Sequence, residues 1–297
     1  MFSIPGVWDA EGKPFSSLPK GEDTILFVGD FMYDRSVRAY ADEKGDDYIF
    51  SCMKEELVSY DMVVANLEGP ITEGSSVSVG SVVGDSNNTR FTMPLRTAGI
   101  LAENNIRAVS LANNHANDFG AEGIVATRAA LTESGVQFAG DPRDSSTTAV
   151  RLGDLHSPVV LVTFNEFSPF GWRQSYEEIL EAIRAQSLKD TVIVFAHWGD
   201  EYVPATDRQK EWAREFIDSG ADMVIGAHPH VVQESEIYRG VSIYYSLGNF
   251  IFDQYWDDEV TEGLGLAVTV SKSGIERIKE VPNYRTRDRR TCFSPVE

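Results

Sequence analysis

The feature that most constrains this chain is a set of short apolar runs that each stop at a residue able to bind a metal or move a proton. Ile25-Leu26-Phe27-Val28-Gly29 ends at Asp30, and Met62-Val63-Val64-Ala65-Asn66-Leu67 ends at Glu68. Ala108-Val109-Ser110-Leu111-Ala112 runs into Asn113-Asn114-His115, and Thr191-Val192-Ile193-Val194-Phe195-Ala196 into His197. Asp222-Met223-Val224-Ile225-Gly226-Ala227 is followed by His228-Pro229-His230. Continuous apolar character marks strands buried on both faces, and α/β folds bind ligands beyond the carboxyl ends of such strands. Five strand ends would bring two carboxylates, an Asn and four imidazoles to one edge of a core.

The segments between these runs read as helices. Strands are expected at 24–29, 61–67, 106–112, 136–139, 158–164, 191–197 and 222–227, and helices at 36–43, 48–59, 96–104, 121–134, 175–187 and 206–219. In the last helix Trp212, Phe216 and Ile217 share one face, and Gly220 follows as a C-terminal cap. After 230 the pattern turns to strands separated by turn residues (241–246, 263–270, 276–281), so the sheets are expected to be mixed. Residues 1–20, rich in Pro, Gly and Ser, read as a loose arm, 21–285 as one domain, and 286–297 as a tail. Gly74–Thr89 lacks strong periodicity and reads as a lid, a binding loop or a mobile segment. Asn165–Ser175 and Phe252–Glu259 are further candidates for a rim.

The net charge of -20 argues against nucleic acid and anionic membranes as partners, because both require a basic surface. No stretch approaches ~20 apolar residues, and the N-terminus lacks the pattern of a secretory signal. A soluble protein is expected, cytoplasmic by default, or extracytoplasmic if a leader has been removed. Cys52 and Cys292 are the only cysteines, and free thiols are expected of two so far apart in sequence.

Each strand-end group has a bland reading beside the chemical one. Asp30 could cap a helix, as could Asn117 or Asp118 after His115. A lone His197 would ordinarily be a hydrogen-bonded core residue, although Glu201 is spaced to orient it as a metal ligand requires. His228 and His230 would point to opposite faces of an extended segment, but a turn can aim both at one ion. His156 reads as an exposed bystander. Two carboxylates, several imidazoles and no thiolate form the donor set of a hydrolytic site using one or two divalent ions (Mn, Fe or Zn).

Six segments together carry a resemblance: Gly29-Asp30-Phe31-Met32, Ala65-Asn66-Leu67-Glu68-Gly69-Pro70, Ser110 to Gly120, Ala196-His197-Trp198-Gly199, Gly226-Ala227-His228-Pro229-His230-Val231, and Tyr245-Ser246-Leu247-Gly248-Asn249-Phe250. In this order they resemble the bacterial capsule-synthesis CapA family, tied to poly-γ-glutamate, and through it the calcineurin-like metallophosphoesterases. The resemblance implies a four-layer α/β/β/α sandwich with mixed sheets and a two-metal centre. It implies Asp30 and His230 on one metal, Glu68 bridging, Asn114, His197 and His228 on the other, and His115 as the group that stabilises the transition state or protonates the leaving group.

Met32 departs from the phosphoesterase pattern, which has an imidazole there; Asn66 or Asp34 are candidates to replace that ligand. The implied function is a metal-dependent hydrolase acting on a phosphoester or a γ-glutamyl amide. Its substrate would be a small anionic or polyglutamate-type molecule, with Arg35, Arg90 and Arg173 as candidate anion contacts. The alternative is a non-catalytic accessory or polymer-binding subunit of poly-γ-glutamate synthesis or export.

Overall fold

A computed structural model describes residues 21–82, 84–167 and 176–294. The expected arm at 1–20 and the rim residues Phe170, Trp172 and Arg173 lie outside the described residues. In chain order the strands are β1 (Asp23–Phe31), β2 (Met62–Leu67), β3 (Ile71–Thr72), β4 (Met93–Pro94), β5 (Ile106–Ser110), β6 (Gln137–Ala139), β7 (Ala149–Arg151) and β8 (Val159–Asn165). They continue as β9 (Thr191–His197), β10 (Met223–Ala227), β11 (Ser235–Tyr238), β12 (Val241–Tyr244), β13 (Asn249–Ile251), β14 (Glu262–Ser271), β15 (Gly274–Arg285) and β16 (Thr291–Phe293). The helices are α1 (Arg35–Lys44), α2 (Asp46–Phe50), α3 (Lys54–Leu57), α4 (Arg96–Glu103), α5 (Gly120–Glu133), α6 (Tyr176–Gln186) and α7 (Asp207–Asp218).

Two mixed sheets form the α/β framework. One runs β16-β15-β14-β1-β2-β5-β6, with β13 also pairing with β1; the other runs β11-β12-β10-β9-β8-β7. The strands that carry the candidate site are mutually parallel within each sheet: β1, β2 and β5 in the first, β9 and β10 in the second. Antiparallel strands occupy the sides, as the change of pattern after 230 implied.

Alternate residues of one strand enter different cores, because side chains on a strand alternate between faces. Ile25 and Phe27 of β1 pack between the sheets with Leu161, Ile193, Phe195 and Ile225. Leu26 and Val28 face the other way, against Val37 and Ala41 of α1, Ile49 and Phe50 of α2, and Leu101 of α4. On the far side of the second sheet, Val192, Val194 and Val224 pack under Ile179 and Ile183 of α6 and Phe216 of α7. This double burial is why these strands read as unbroken apolar runs. Helix α7 is held at its start by a capping box between Thr206 and Gln209, and at its end by Gly220, whose positive φ lets the chain turn back.

Three expectations are corrected. The helix expected over 48–59 is two short helices, α2 and α3, separated by a turn at Ser51–Met53. The segment from 286 is not simply a tail, because β16 pairs antiparallel with β15. Cys52 and Cys292 are not free: they form a disulfide, with Cα atoms 4.9 Å apart. The β15–β16 hairpin carries Cys292 back to the α2–α3 turn, a proximity that separation along the chain conceals.

Candidate metal centre

The carboxyl ends of β1, β2, β5, β9 and β10 converge, and the residues following their apolar runs meet there. β13 closes the group from the side: Asn249 lies opposite Asp30 in parallel register, and the Asp30 N–H donates to the Gly248 carbonyl at 3.0 Å. A side chain at Gly29 would collide with that same carbonyl, so the Gly before Asp30 is required by the close approach of β13.

The donors fall into two groups. In the first, ligand atoms of Asp30, Glu68 and His230 all lie within 4.8 Å of one another, and all three residues are buried. His230 Nδ1 is 3.2 Å from Asp30 Oδ2, and His230 Nε2 is 3.6 Å from Glu68 Oε1. In the second, His197 Nε2 lies 2.9 Å from Asn114 Oδ1, and the His197 and His228 rings are 4.7 Å apart between centroids. The turn after β10 aims both of its histidines inward. His228 and His230 adopt φ of 100° and 60°, the left-handed region that non-glycine residues enter at a cost and mainly at functional sites. Phe167 covers His228 at 4.3 Å.

Asn66 sits between the groups. Its Nδ2 donates to Asp30 Oδ1 at 2.8 Å and lies 3.3 Å from His197 Nδ1, while its Oδ1 accepts from Asn113 Nδ2 at 3.1 Å. The amide therefore turns a donor toward the carboxylates and offers no oxygen ligand in this orientation. Asp34, the other candidate substitute, is buried, and its Oδ2 accepts from the Ser78 hydroxyl (2.7 Å) and the Thr92 N–H (2.8 Å). It thereby fastens the expected lid, Gly74–Thr89, and the segment that follows it to the body. Met32 is buried with Phe91 and Phe252.

His115 is set apart by partial exposure. Its Nε2 is 4.0 Å from Glu68 Oε1, its Nδ1 is 3.0 Å from Asp118 Oδ2, and the Phe91 ring lies 4.3 Å away. Asp118 is not the helix cap expected of it. It pairs with His115 and accepts the Phe91 N–H, while Asn117 accepts from Arg143, and α5 begins without a side-chain cap. Glu201 does not orient His197; Asn66 and Asn114 do. His156 is exposed as expected, although it pairs with the buried Asp23 at 2.9 Å.

Of the candidate anion contacts, Arg35 has its guanidinium over the Phe91 and Phe252 rings, an ion pair with Asp253 at 2.5 Å, and a bond to the Asn88 carbonyl. Arg90 donates to the Asp118 carbonyl and stacks on Phe119. Arg173 lies outside the described residues. Two residues of the centre had no role in the sequence reading. Asn113 ties Asn66 to the Leu67 carbonyl, and Asn249 holds His230. Their only sequence signal was membership of the Asn-Asn-His and Leu-Gly-Asn-Phe segments.

Burial drives opposite shifts in acids and imidazoles. It pushes the Glu68 carboxyl well above its ordinary value, and the nearby Asp30 charge adds to this. For Asp30 burial acts the same way but is outweighed by hydrogen bonds from His230 and Asn66, which hold it below the usual carboxylate value. Burial, then the neighbouring imidazoles, keeps His197 well below its ordinary value and His228 at about 4. Both imidazoles are thus neutral at pH 7, the form that ligates metals. Glu68 Oε1 and His228 Nδ1 are buried without a hydrogen-bond partner among the described residues. Buried polar atoms are ordinarily satisfied, so two orphans among converging oxygen and nitrogen donors fit a cation.

Fold and site together define a mixed α/β protein with an acid-and-imidazole cluster where the strands of two sheets end. Residues 24–254 match the family described as bacterial capsule synthesis protein PGA_cap, and the chain belongs to that family. It is 30% identical over 297 residues to the PGA biosynthesis protein CapA of Bacillus subtilis (strain 168), covering 95% of this chain and 77% of that one. It is 30% identical over 251 residues to the capsule biosynthesis protein CapA of Bacillus anthracis, covering 78% of this chain and 60% of that relative. A probable polyglutamine synthesis accessory protein of Mycobacterium tuberculosis is 31% identical over 169 residues, 48% of this chain and 44% of its own. The fold is similar to the crystal structure of a hypothetical protein from Thermus thermophilus, with a TM-score of 0.55 and 17% identity, covering 87% of this chain and 98% of that one.

Proposed function

We propose that this protein is a metal-dependent hydrolase acting on a phosphoester or γ-glutamyl amide bond in poly-γ-glutamate capsule metabolism. The names of its CapA relatives supply the capsule context. The observation that carries the reading is the buried Asp30–Glu68–His230 group, with a Glu68 oxygen that has no hydrogen-bond partner among the described residues. The three apolar clusters, one between the sheets and one outside each, support assignment to the four-layer α/β/β/α calcineurin-like type. Asp30, Glu68 and His230 would hold one divalent ion, and Asn114, His197 and His228 a second. When bound, such an ion supplies Lewis acidity and activates water at neutral pH.

The chain's own residues do the rest. His115 stands at the exposed side of the centre with Asp118 at its Nδ1, and its Nε2, once the ring carries a proton on both nitrogens, would be the atom to give a proton to a leaving group. The Phe91 ring packs 4.3 Å from that imidazole. The Cys52–Cys292 disulfide favours an oxidising, extracytoplasmic setting over the cytoplasm expected by default. No helix among the described residues is long and apolar enough to cross a membrane.

A second reading, an accessory subunit that binds polymer without cleaving it, is favoured by Met32. Its thioether is packed among Phe91 and Phe252 where the phosphoesterase pattern has an imidazole. The test is an assay of phosphomonoesters, phosphodiesters and poly-γ-glutamate with metal-stripped protein and added Mn²⁺. Turnover that His115→Ala and His228→Ala each reduce by roughly 10²-fold or more is the expected result. Metal binding without turnover on any of the three selects the accessory reading.

A further inference from the structure

We propose that Asn249 is a positioning residue that holds His230 as its Nδ1–H tautomer, turning the Nε2 lone pair toward Glu68. The Leu247-Gly248-Asn249-Phe250 segment borders the centre through its pairing with β1. Asn249 Nδ2 lies 3.2 Å from the His230 carbonyl, 3.2 Å from the Val260 carbonyl and 3.0 Å from Gln254 Oε1. Backbone carbonyls can only accept, so the amide cannot be turned the other way without setting oxygen against oxygen. Asn249 Oδ1 is therefore the atom 2.9 Å from His230 Nδ1, and Asp30 Oδ2 is a second acceptor at 3.2 Å. A ring nitrogen facing two oxygens carries the proton.

Nε2 is left with its lone pair 3.6 Å from Glu68 Oε1, which has no hydrogen-bond partner among the described residues. Asn249 is itself anchored on both sides. Its backbone pairs with β1 at Asp30, and its carbonyl accepts from the buried guanidinium of Arg285. Metal-binding imidazoles require such a hold on the nitrogen that does not ligate. The consequence for affinity rests on the metal reading above; the tautomer does not.

The experiment uses ¹⁵N-histidine-labelled, chelator-stripped full-length protein at a pH well above the ordinary imidazole value. Two-bond ¹H–¹⁵N correlation is expected to show a protonated Nδ1 and a bare Nε2 at His230. Asn249→Ala is expected to populate the Nε2–H form and to weaken Mn²⁺ binding, followed by titration calorimetry, by roughly 10–100-fold. The tautomer is read on the wild-type protein itself, so the question stays decidable if the Ala variant does not fold. An Nε2–H signature in the wild type overturns the proposal, as does an Asn249→Ala protein with unchanged tautomer and affinity. Wild-type protein that binds no Mn²⁺ defeats the metal reading alone, because the tautomer is read without metal.

Discussion

The two halves of the centre, one fully buried and the other buried except for the half-buried Asn114, differ in charge. Asp30, Glu68 and His230 bring two carboxylates into one dry space, whereas Asn114, His197 and His228 bring only neutral donors. Burial therefore acts on them in opposite ways. In the imidazole half it keeps both rings neutral. In the acidic half it sets the carboxyls against each other and drives Glu68 toward its protonated form. One half is held neutral by burial, and the other is biased toward keeping a proton on Glu68.

The largest expected effect comes from the residue that faces both the acidic group and His115. Glu68→Gln keeps shape but removes the charge, and it should weaken divalent-metal binding by more than the ~10–100-fold typical of outer partners. Titration calorimetry checks this, and near wild-type affinity would erase the distinction between the halves. A smaller effect sharpens it. Metal uptake should be accompanied by proton release from Glu68, because ligands bind deprotonated and its carboxyl is shifted upward. The released proton is counted by calorimetry in buffers of different ionisation enthalpy. The sign follows from the raised carboxyl: affinity falls as pH drops, and Glu68→Gln should abolish the proton release.

The smallest expected effect concerns a carboxylate–imidazole pair at the other end of β1. Asp23 accepts from the N–H groups of His156 (3.0 Å) and Ser157 (2.7 Å), which outweigh burial and hold it below its ordinary value of 3.8. A depressed carboxylate contributes stability that is full above the unfolded value and is lost as pH falls through the folded one. Asp23→Asn should therefore cost about 1–3 kcal/mol at pH 7 and progressively less below pH ~4, read from urea midpoints. A cost that does not shrink on acidification would mean that the charge contributes nothing.

The chemistry-bearing strand ends were legible because burial on both faces leaves an unbroken apolar run, and the run stops where the core stops. Asp30, Glu68, His197 and His228 stand out for that reason. The connections that orient them were not legible. β13 spans only Asn249–Ile251 and pairs with a strand more than 200 residues earlier, so no local pattern marks it. Asp118 looked like a cap because capping and ion pairing use the same side chain. The Cys52–Cys292 bond has no local signal in the sequence, because partners 240 residues apart meet only through the sheet. Local periodicity reports what each residue is buried in, and tertiary pairing alone reports what it faces.

The most direct test of the centre is anomalous diffraction at the manganese edge from crystals soaked in Mn²⁺. A peak enclosed by Asp30, Glu68 and His230 is the expected result. A protein that gives no peak there, and whose solution shows no saturable Mn²⁺ binding, would contradict the metal centre itself.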